Sequence, residues 1–345
     1  MTTYGPWIFL RDEVVEGGLV VEDGKIAEVL DTPPGAVDVH GLVLPLMANP
    51  HTHLGDAFIR DVPPGTIEEI VAPPHGFKFR MLARASRAEI LTGMKHALER
   101  MASQGTALLA DFREGGLDGI ALLKEALRPL EISGLVLGRP SSLIFDEIEL
   151  TKILSAADGI GLSSISEWGW NDIAAIAEMT HRTGKLFALH VSEGRRETIE
   201  DVLSLRPSFV IHMVHATEGD IRGCADAGVP IVVCPRSNRF FGMRPSIEQM
   251  LANDALVALG TDNAMLSTPL LWDEMRFVAS EFPALSLEDV LRLGIANPWK
   301  VLNQEGRIGW MTGMRAAFLF VPQGEMIGLD ALRSSPALIT PTTEG

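Results

Sequence analysis

Four short stretches of this sequence hold side chains able to bind a cation or move a proton. His51-Thr52-His53 sets two imidazoles two residues apart, and in an extended chain positions i and i+2 face one side, so both can reach one ion. His190 and Glu193 lie in LHVSE (189–193), His212 and His215 in IHMVH (211–215), and Thr261-Asp262 ends an apolar run. Each fragment alone is weak, because a single histidine at such a place is commonly a satisfied core or loop residue. Jointly, His51, His53, His190 and Asp262 offer three nitrogens and one carboxylate oxygen. That donor set suits Zn²⁺ or Fe²⁺ with one position left open for water. A divalent cation lowers the pKa of bound water to about 7, making hydroxide available at neutral pH. Glu193, three residues past His190, is placed to shuttle a proton to a leaving nitrogen, as a non-ligating glutamate does in zinc deaminases. The competing reading of Glu193 is a carboxylate interacting with the dipole of the following helix.

These groups need elements that aim them at one point. Apolar runs at 42–53, 106–114, 131–140, 158–166, 186–193, 208–216, 229–238 and 255–263 alternate with amphipathic stretches that include 86–102, 170–183, 195–204, 246–253 and 270–282. Continuously apolar strands each followed by a helix indicate a parallel sheet buried on both faces. Eight such units within about 250 residues predict an α/β fold, a (β/α)8 TIM-like barrel. Its active site would lie at the C-terminal strand ends. Five of the nine histidines fall there, which core packing alone does not predict. An open doubly wound sheet is the alternative, weakened by the lack of a G-x-G-x-x-G after an early strand. Residues 7–46 read as short strands with a hairpin at Asp23-Gly24, and 306–322 is again β-like. The expected division is a small β-sandwich domain built from both termini, 1–46 plus 305–345, around a barrel spanning 47–304.

Composition narrows the setting. The 345 residues carry 29 Lys+Arg against 45 Asp+Glu, a net charge of −16, which argues against nucleic acid or anionic membrane as partner. No run approaches the roughly 18 apolar residues of a membrane span. MTTYGPWIFLRDE lacks a basic n-region followed by an apolar h-region, so no secretory signal is expected. Cys224 and Cys234 are too few for a disulfide framework and fit a reducing cytoplasm. Oligomeric state is left open, homo-oligomers included.

NPHTHLGD (49–56), LHVSE (189–193), IHMVH (211–215) and LGTDN (259–263), in this order, resemble the amidohydrolase superfamily. The nearest branch holds cytosine, guanine and S-adenosylhomocysteine-type deaminases and chlorohydrolases. The tail at 297–321 resembles that family's crossing back into its small β domain, so the likeness spans essentially the whole chain. It implies a metal-dependent hydrolase with His51, His53, His190 and Asp262 as ligands and Glu193 as proton shuttle. His212 would polarise the attacked group and Asp262 would assist proton movement. Binuclear members use a carboxylated lysine at the end of strand four; Ser163, Ser164 and Ser166 stand there instead, implying one metal, with zinc preferred to iron. His215 matches a position without an assigned role, and packing behind the site is its default. LPLMANPHTH departs from the usual glycine-rich approach, and CPRSNRFFG carries arginines where common deaminases have neutral residues.

The expected activity is deamination of a purine-, pyrimidine- or pterin-like ring, or another cyclic amidine, by metal-bound hydroxide. Hydrolysis of a cyclic amide (imidazolone-like) or of an aryl chloride is the alternative, and a non-catalytic metal-binding relative is the non-enzyme rival. Arg113, Arg236 and Arg239 are candidates to bind substrate, because guanidinium forks suit carboxylate or phosphate groups; surface ion pairing competes with this reading. His75 and Lys78 sit in a long connection, 57–86, of the length often used for lids. Trp168 and Trp170 offer stacking surfaces, with rim packing the alternative.

Overall fold

The computed structural model describes residues 1–323 and 327–341. Five strands open the chain: β1 (Thr2–Leu10), β2 (Glu13–Glu16), β3 (Gly18–Glu22), β4 (Lys25–Leu30) and β5 (Val39–Leu44). β3 and β4 form the antiparallel hairpin expected at Asp23-Gly24. Both turn residues have positive φ, 48° and 72°, the backbone that lets a two-residue loop follow the twist of its strands. The apolar run at 42–53 is not one strand. Pro45, which has no N–H to donate, separates β5 from β6 (Met47–His53), and the two belong to different sheets.

From β6 onward the strands are parallel: β7 (Thr106–Arg113), β8 (Ser133–Gly138), β9 (Gly159–Leu162), β10 (Leu186–Val191), β11 (Phe209–His212), β12 (Ile231–Val233), β13 (Val257–Leu259) and β14 (Asp262–Asn263). β13 and β14 are two halves of one strand interrupted at Gly260-Thr261. The first half pairs with β12 and the second with β6, which closes the sheet into a TIM-like barrel. Glycine is required at the break, since a Cβ on Gly260 would lie 2.9 Å from both the Cβ of His51 and a methyl of Val232. Ala48, Leu108, Ala110, Phe112, Ala188 and Phe209 fill the interior, with Phe112 4.4 Å from the His51 ring.

The α-helices among the described residues are α1 (Ile67–Ile70), α2 (Phe77–Arg84), α3 (Arg87–Ser103), α4 (Gly116–Leu127), α5 (Glu147–Ala156), α6 (Trp170–Arg182), α7 (Ile199–Ser204), α8 (Glu218–Asp226), α9 (Pro235–Phe240), α10 (Ile247–Ala252), α11 (Leu271–Glu281), α12 (Leu287–Leu291) and α13 (Asn297–Val301). α3 starts on a capping box of Ser86 and Glu89, an N-cap worth about 1 kcal/mol, and buries Met94, Ala97, Leu98 and Met101 on one face. The helix expected at 195–204 begins only at Ile199. The Glu197 carboxylate accepts from Ser192 N and Ser166 N, so the preceding residues form a tied loop. The 57–86 connection is likewise structured, carrying α1 and α2 and packing Ile59 and Ile70 against Met265.

Of the β-like tail, only Phe318–Pro322 is a strand, β15, followed by β16 (Ala337–Ile339). These two join the N-terminal strands in one seven-stranded sheet ordered β16-β15-β5-β1-β3-β4, with β2 on β1, so both termini build it. No helix among the described residues is long and apolar enough to cross a membrane.

Two predictions concern this packing. Cys224 and Cys234 are fully buried, and burial pushes the Cys224 thiol up to about 12 and that of Cys234 well above its ordinary value. Neither should react with an aromatic disulfide reagent in native protein, and two thiols per chain should titrate after denaturation; a fast native thiol contradicts this. Glu274 on α11 accepts from the backbone N–H of Arg236 on α9 at 2.7 Å, and its other oxygen has no hydrogen-bond partner. Burial pushes this carboxyl up to about 8, ahead of the lowering by Arg236. It therefore stays protonated when folded but ionises when unfolded, so its contribution to stability falls as pH rises from about 4.5 toward 8. The loss is at most about 1.4 kcal/mol per pH unit. Glu274→Gln should gain on the parent in urea midpoint between pH 4.5 and 7.5; a gap that does not widen with pH overturns the prediction.

Candidate metal centre

Strand ends carry every group of the candidate centre: His51 and His53 end β6, His190 lies one residue from the end of β10, His212 ends β11 and Asp262 begins β14. Ligand atoms of His51, His53, His190 and Asp262 all lie within 4.8 Å of one another, and so do those of Glu193, His212 and Asp262. His51 Nε2 is 3.3 Å and His53 Nε2 is 3.5 Å from Asp262 Oδ1. The backbone is bent to achieve this. Ser192, His212, Met213 and Asp262 have φ of 50°, 76°, 53° and 60°, a left-handed region that side chains rarely occupy and that clusters at functional sites.

Hydrogen bonds fix the tautomers. His190 Nδ1 lies 2.7 Å from the carbonyl oxygen of Leu162, which only accepts, so the proton is on Nδ1 and Nε2 presents a lone pair. His53 Nδ1 lies 2.8 Å from Glu114 Oε1. Burial alone would raise the Glu114 carboxyl, but Lys78, His53 and Arg113 outweigh it and hold it well below the usual range. Glu114 is therefore a carboxylate, and His53 Nε2 presents a lone pair as well. These two Nε2 atoms are 3.3 Å apart, and neither nitrogen of buried His51 has a hydrogen-bond partner. Burial pushes His51 down to about 3 and His190 well below its ordinary value, so both are neutral. Asp262 is raised by burial but held well below the usual carboxylate range by the histidines around it, and it accepts from Ser237 Oγ at 2.5 Å. Converging lone pairs beside a carboxylate, with no donor between them, fit a divalent cation.

His212 is set the opposite way. Asn238 Nδ2 donates to its Nδ1 at 3.2 Å, which leaves the proton on Nε2, 3.5 Å from Glu193 Oε1. Burial, then Asp262 and Glu167, push Glu193 well above the usual carboxylate range, so its carboxyl holds a proton. Burial likewise lowers His212 to about 4 and keeps it neutral.

The cavity over these groups, about 270 Å³, is bounded by His53, His190, Glu193, His212 and Asp262 together with Lys78, Arg139, Glu167, Ser163 and Asn263. None of the four expected substrate-binding residues lines this cavity, though Arg113 lines a larger one beside it. Arg113 is buried and spent on Asp111 at 3.2 Å and on Glu114. Arg236 donates from its guanidinium to the Thr268 carbonyl and hydroxyl, both at 3.1 Å, and from its backbone N–H to Glu274. Arg239 and His75 are exposed. His215 is also exposed and not packed behind the site; its backbone N–H donates to the Ser192 carbonyl. Trp168 is buried with its indole N–H on Ser163, whereas Trp170 is 48% exposed.

The cations lining the cavity are instead Lys78, Arg195 and Arg139, the last just past β8, whose guanidinium donates to Ser163 at 2.6 Å and lies over the Phe79 ring. Glu114, Ser237, Asn238 and Asn263 also escaped the sequence reading, although ADFRE, CPRSN and LGTDN contain them next to residues that it singled out. A carboxylate following Arg113 at a strand end was the available signal for Glu114.

The sequence model described as "Amidohydrolase family" matches residues 42–323. An uncharacterized protein of Methanocaldococcus jannaschii is 32% identical over 89% of this chain and 86% of its own. A protein of Halobacterium salinarum named 5-methylthioadenosine/S-adenosylhomocysteine deaminase is 28% identical over 78% of this chain and 70% of its own. The crystal structure of atrazine chlorohydrolase from Arthrobacter aurescens, complexed with zinc, covers 99% of this chain and 94% of that one with a TM-score of 0.76 at 16% identity. With its barrel, its converging histidines and a match over most of its length, the chain belongs to the amidohydrolase family.

Proposed function

We propose that this protein is a metal-dependent aminohydrolase that removes an exocyclic amino group from a purine- or pyrimidine-like ring and releases ammonia. The observation that carries the reading is the opposed protonation of two neighbouring histidine sets. His53 and His190 bring Nε2 lone pairs to 3.3 Å of each other beside Asp262, while His212 aims an N–H across the same cavity toward a protonated Glu193. One ion per chain, held by His51, His53, His190 and Asp262, fits this donor set, and we assign it as zinc, the ion named in the chlorohydrolase structure. When bound, such a cation acts as a Lewis acid that brings the ionisation of water to near neutral pH.

The chain's own groups do the rest. Glu193, carrying a proton at the cavity edge, delivers it to a ring nitrogen as the carbon bearing the amino group becomes tetrahedral. It takes up the proton of the attacking water and passes it to the amino nitrogen as the C–N bond breaks. The new hydroxyl's proton returns to Glu193 as the ring carbonyl forms and ammonia leaves. His212 Nε2–H donates to the attacked centre and steadies developing negative charge. Asp262, its oxygen within 4.8 Å of the Glu193 and His212 ligand atoms, is the ionised acceptor beside them.

Beside the reactive cavity lies a larger one, about 1080 Å³, with Leu82, Ile90, Met94, Leu122 and Leu143 in its lining; Pro73, Phe79 and Arg139 line both spaces. This supports a ring that carries an apolar substituent, and the Halobacterium relative is named for deaminating 5-methylthioadenosine and S-adenosylhomocysteine. In this reading residues 47–304 are the catalytic barrel of a cytoplasmic enzyme, and 1–46 with the described part of 305–345 a small β-sandwich domain, of which 324–326 and 342–345 lie outside the described residues.

The test is a panel of amino-heterocycles, with and without apolar substituents, incubated with zinc-loaded protein and assayed for ammonia. Glu193→Gln should lower kcat by about 10²–10⁴-fold while zinc content stays at the parent value. Ring opening without ammonia would favour the cyclic-amide reading, and chloride release the chlorohydrolase reading. Unchanged turnover in Glu193→Gln removes that residue from the reaction.

A further inference from the structure

We propose that Lys78 is a positioning residue for the metal centre, tying the support of His53 to the support of Asp262. The inference rests on the reading of His51, His53, His190 and Asp262 as ligands. Lys78 sits on α2 in the 57–86 connection, yet it is only 2% exposed, and lysine is seldom buried without partners. Its partners are specific. The ammonium donates to Asn263 Oδ1 at 3.0 Å, pairs with Glu114 Oε1 and lies 3.9 Å from Asp56 Oδ2. Glu114 Oε1 also accepts from His53 Nδ1, and Asn263 Nδ2 donates to Asp262 Oδ1 at 2.8 Å.

The result is a continuous path, His53–Glu114–Lys78–Asn263–Asp262, that joins the ligand ending β6 to the ligand opening β14 along a wall of the reactive cavity, which Lys78 and Asn263 line. Four of its five members belong to the barrel strands or to the residue following one. Lys78 alone comes from outside the barrel, so removing it opens the path without touching a strand. Two consequences follow from elementary electrostatics. The ammonium shares Glu114 Oε1 with His53 Nδ1, so it fixes where that oxygen stands and with it the orientation of the His53 ring. It also orients the Asn263 amide so that its N–H₂ meets Asp262 Oδ1, fixing which carboxylate edge faces the histidines. A lysine that served folding alone would stabilise the chain equally with and without metal; a positioning lysine must change affinity and ligand field.

Outer partners of this kind typically change metal affinity by about 10–100-fold. The measurement is Zn²⁺ affinity by chelator competition, together with the visible spectrum of the Co²⁺-substituted protein, for wild type, Lys78→Met, Glu114→Gln and the double variant. Lys78→Met should bind Zn²⁺ about 10–100-fold more weakly and shift the Co²⁺ bands. The double variant should lose less than the product of the single losses, because Lys78 acts partly through Glu114. Asn263→Ala opens the same path at its other end and replaces Lys78→Met should the latter not fold. Wild-type Zn²⁺ affinity and Co²⁺ spectrum in the variant, or single losses that multiply independently, overturn the role of Lys78 while leaving the ligand set intact. A wild type that binds neither ion overturns the ligand reading, and this inference with it.

Discussion

Lone pairs that point at one another inside a protein repel unless something positive lies between them. In this barrel the Nε2 atoms of His53 and His190 stand 3.3 Å apart, both deprotonated by what their Nδ1 atoms bind, with the Asp262 carboxylate alongside. The arrangement persists because the barrel overrides local preference. β6, β10 and the split eighth strand end at one rim, Gly260 lets the last strand approach His51, and left-handed backbone at Ser192, His212 and Asp262 aims the side chains. Such backbone costs roughly 1–3 kcal/mol per residue and is retained only where surrounding packing over-determines it. Here that packing is two layers of apolar side chains, one inside the sheet and one beneath the helices.

The same cavity separates two chemistries by hydrogen bonding alone. A carbonyl at Leu162 and a carboxylate at Glu114 turn two histidines into electron-pair donors, while the Asn238 amide turns a third into a proton donor. Burial then divides the carboxyl groups: Asp262, ringed by imidazoles, stays ionised, and Glu193, facing other acids, keeps its proton. Two titratable groups whose surroundings push them apart are the ordinary signature of an acid–base pair.

Much of this was legible in the sequence, for physical reasons. H-x-H at a strand end, His190 with Glu193 and a terminal Asp262 carry spacing information that survives without coordinates, because strand periodicity dictates where each side chain points. The barrel was legible from alternating apolar runs and amphipathic helices, although Pro45 divides the first run between two sheets. The arginines were not legible. Arg113 and Arg236 look available in a linear reading, but the fold buries Arg113 between Asp111 and Glu114, where a desolvated guanidinium takes acid partners, and turns Arg236 onto Thr268, 32 positions away. Lys78 was seen only as a residue in a long connection; α2 folds it inward, and no local pattern announces a buried ammonium whose partners lie 36 and 185 positions away. Glu114 and Asn263 acquire their meaning from that same long-range closure.

The account depends on His51, His53, His190 and Asp262 sharing one ion. X-ray absorption of the zinc-loaded protein, combined with elemental analysis, tests this most directly. The prediction is one zinc per chain in a shell of three imidazole nitrogens plus oxygen, with the metal lost from both His190→Ala and Asp262→Ala. Full metal occupancy in both variants, or a shell lacking imidazole scattering, would contradict it.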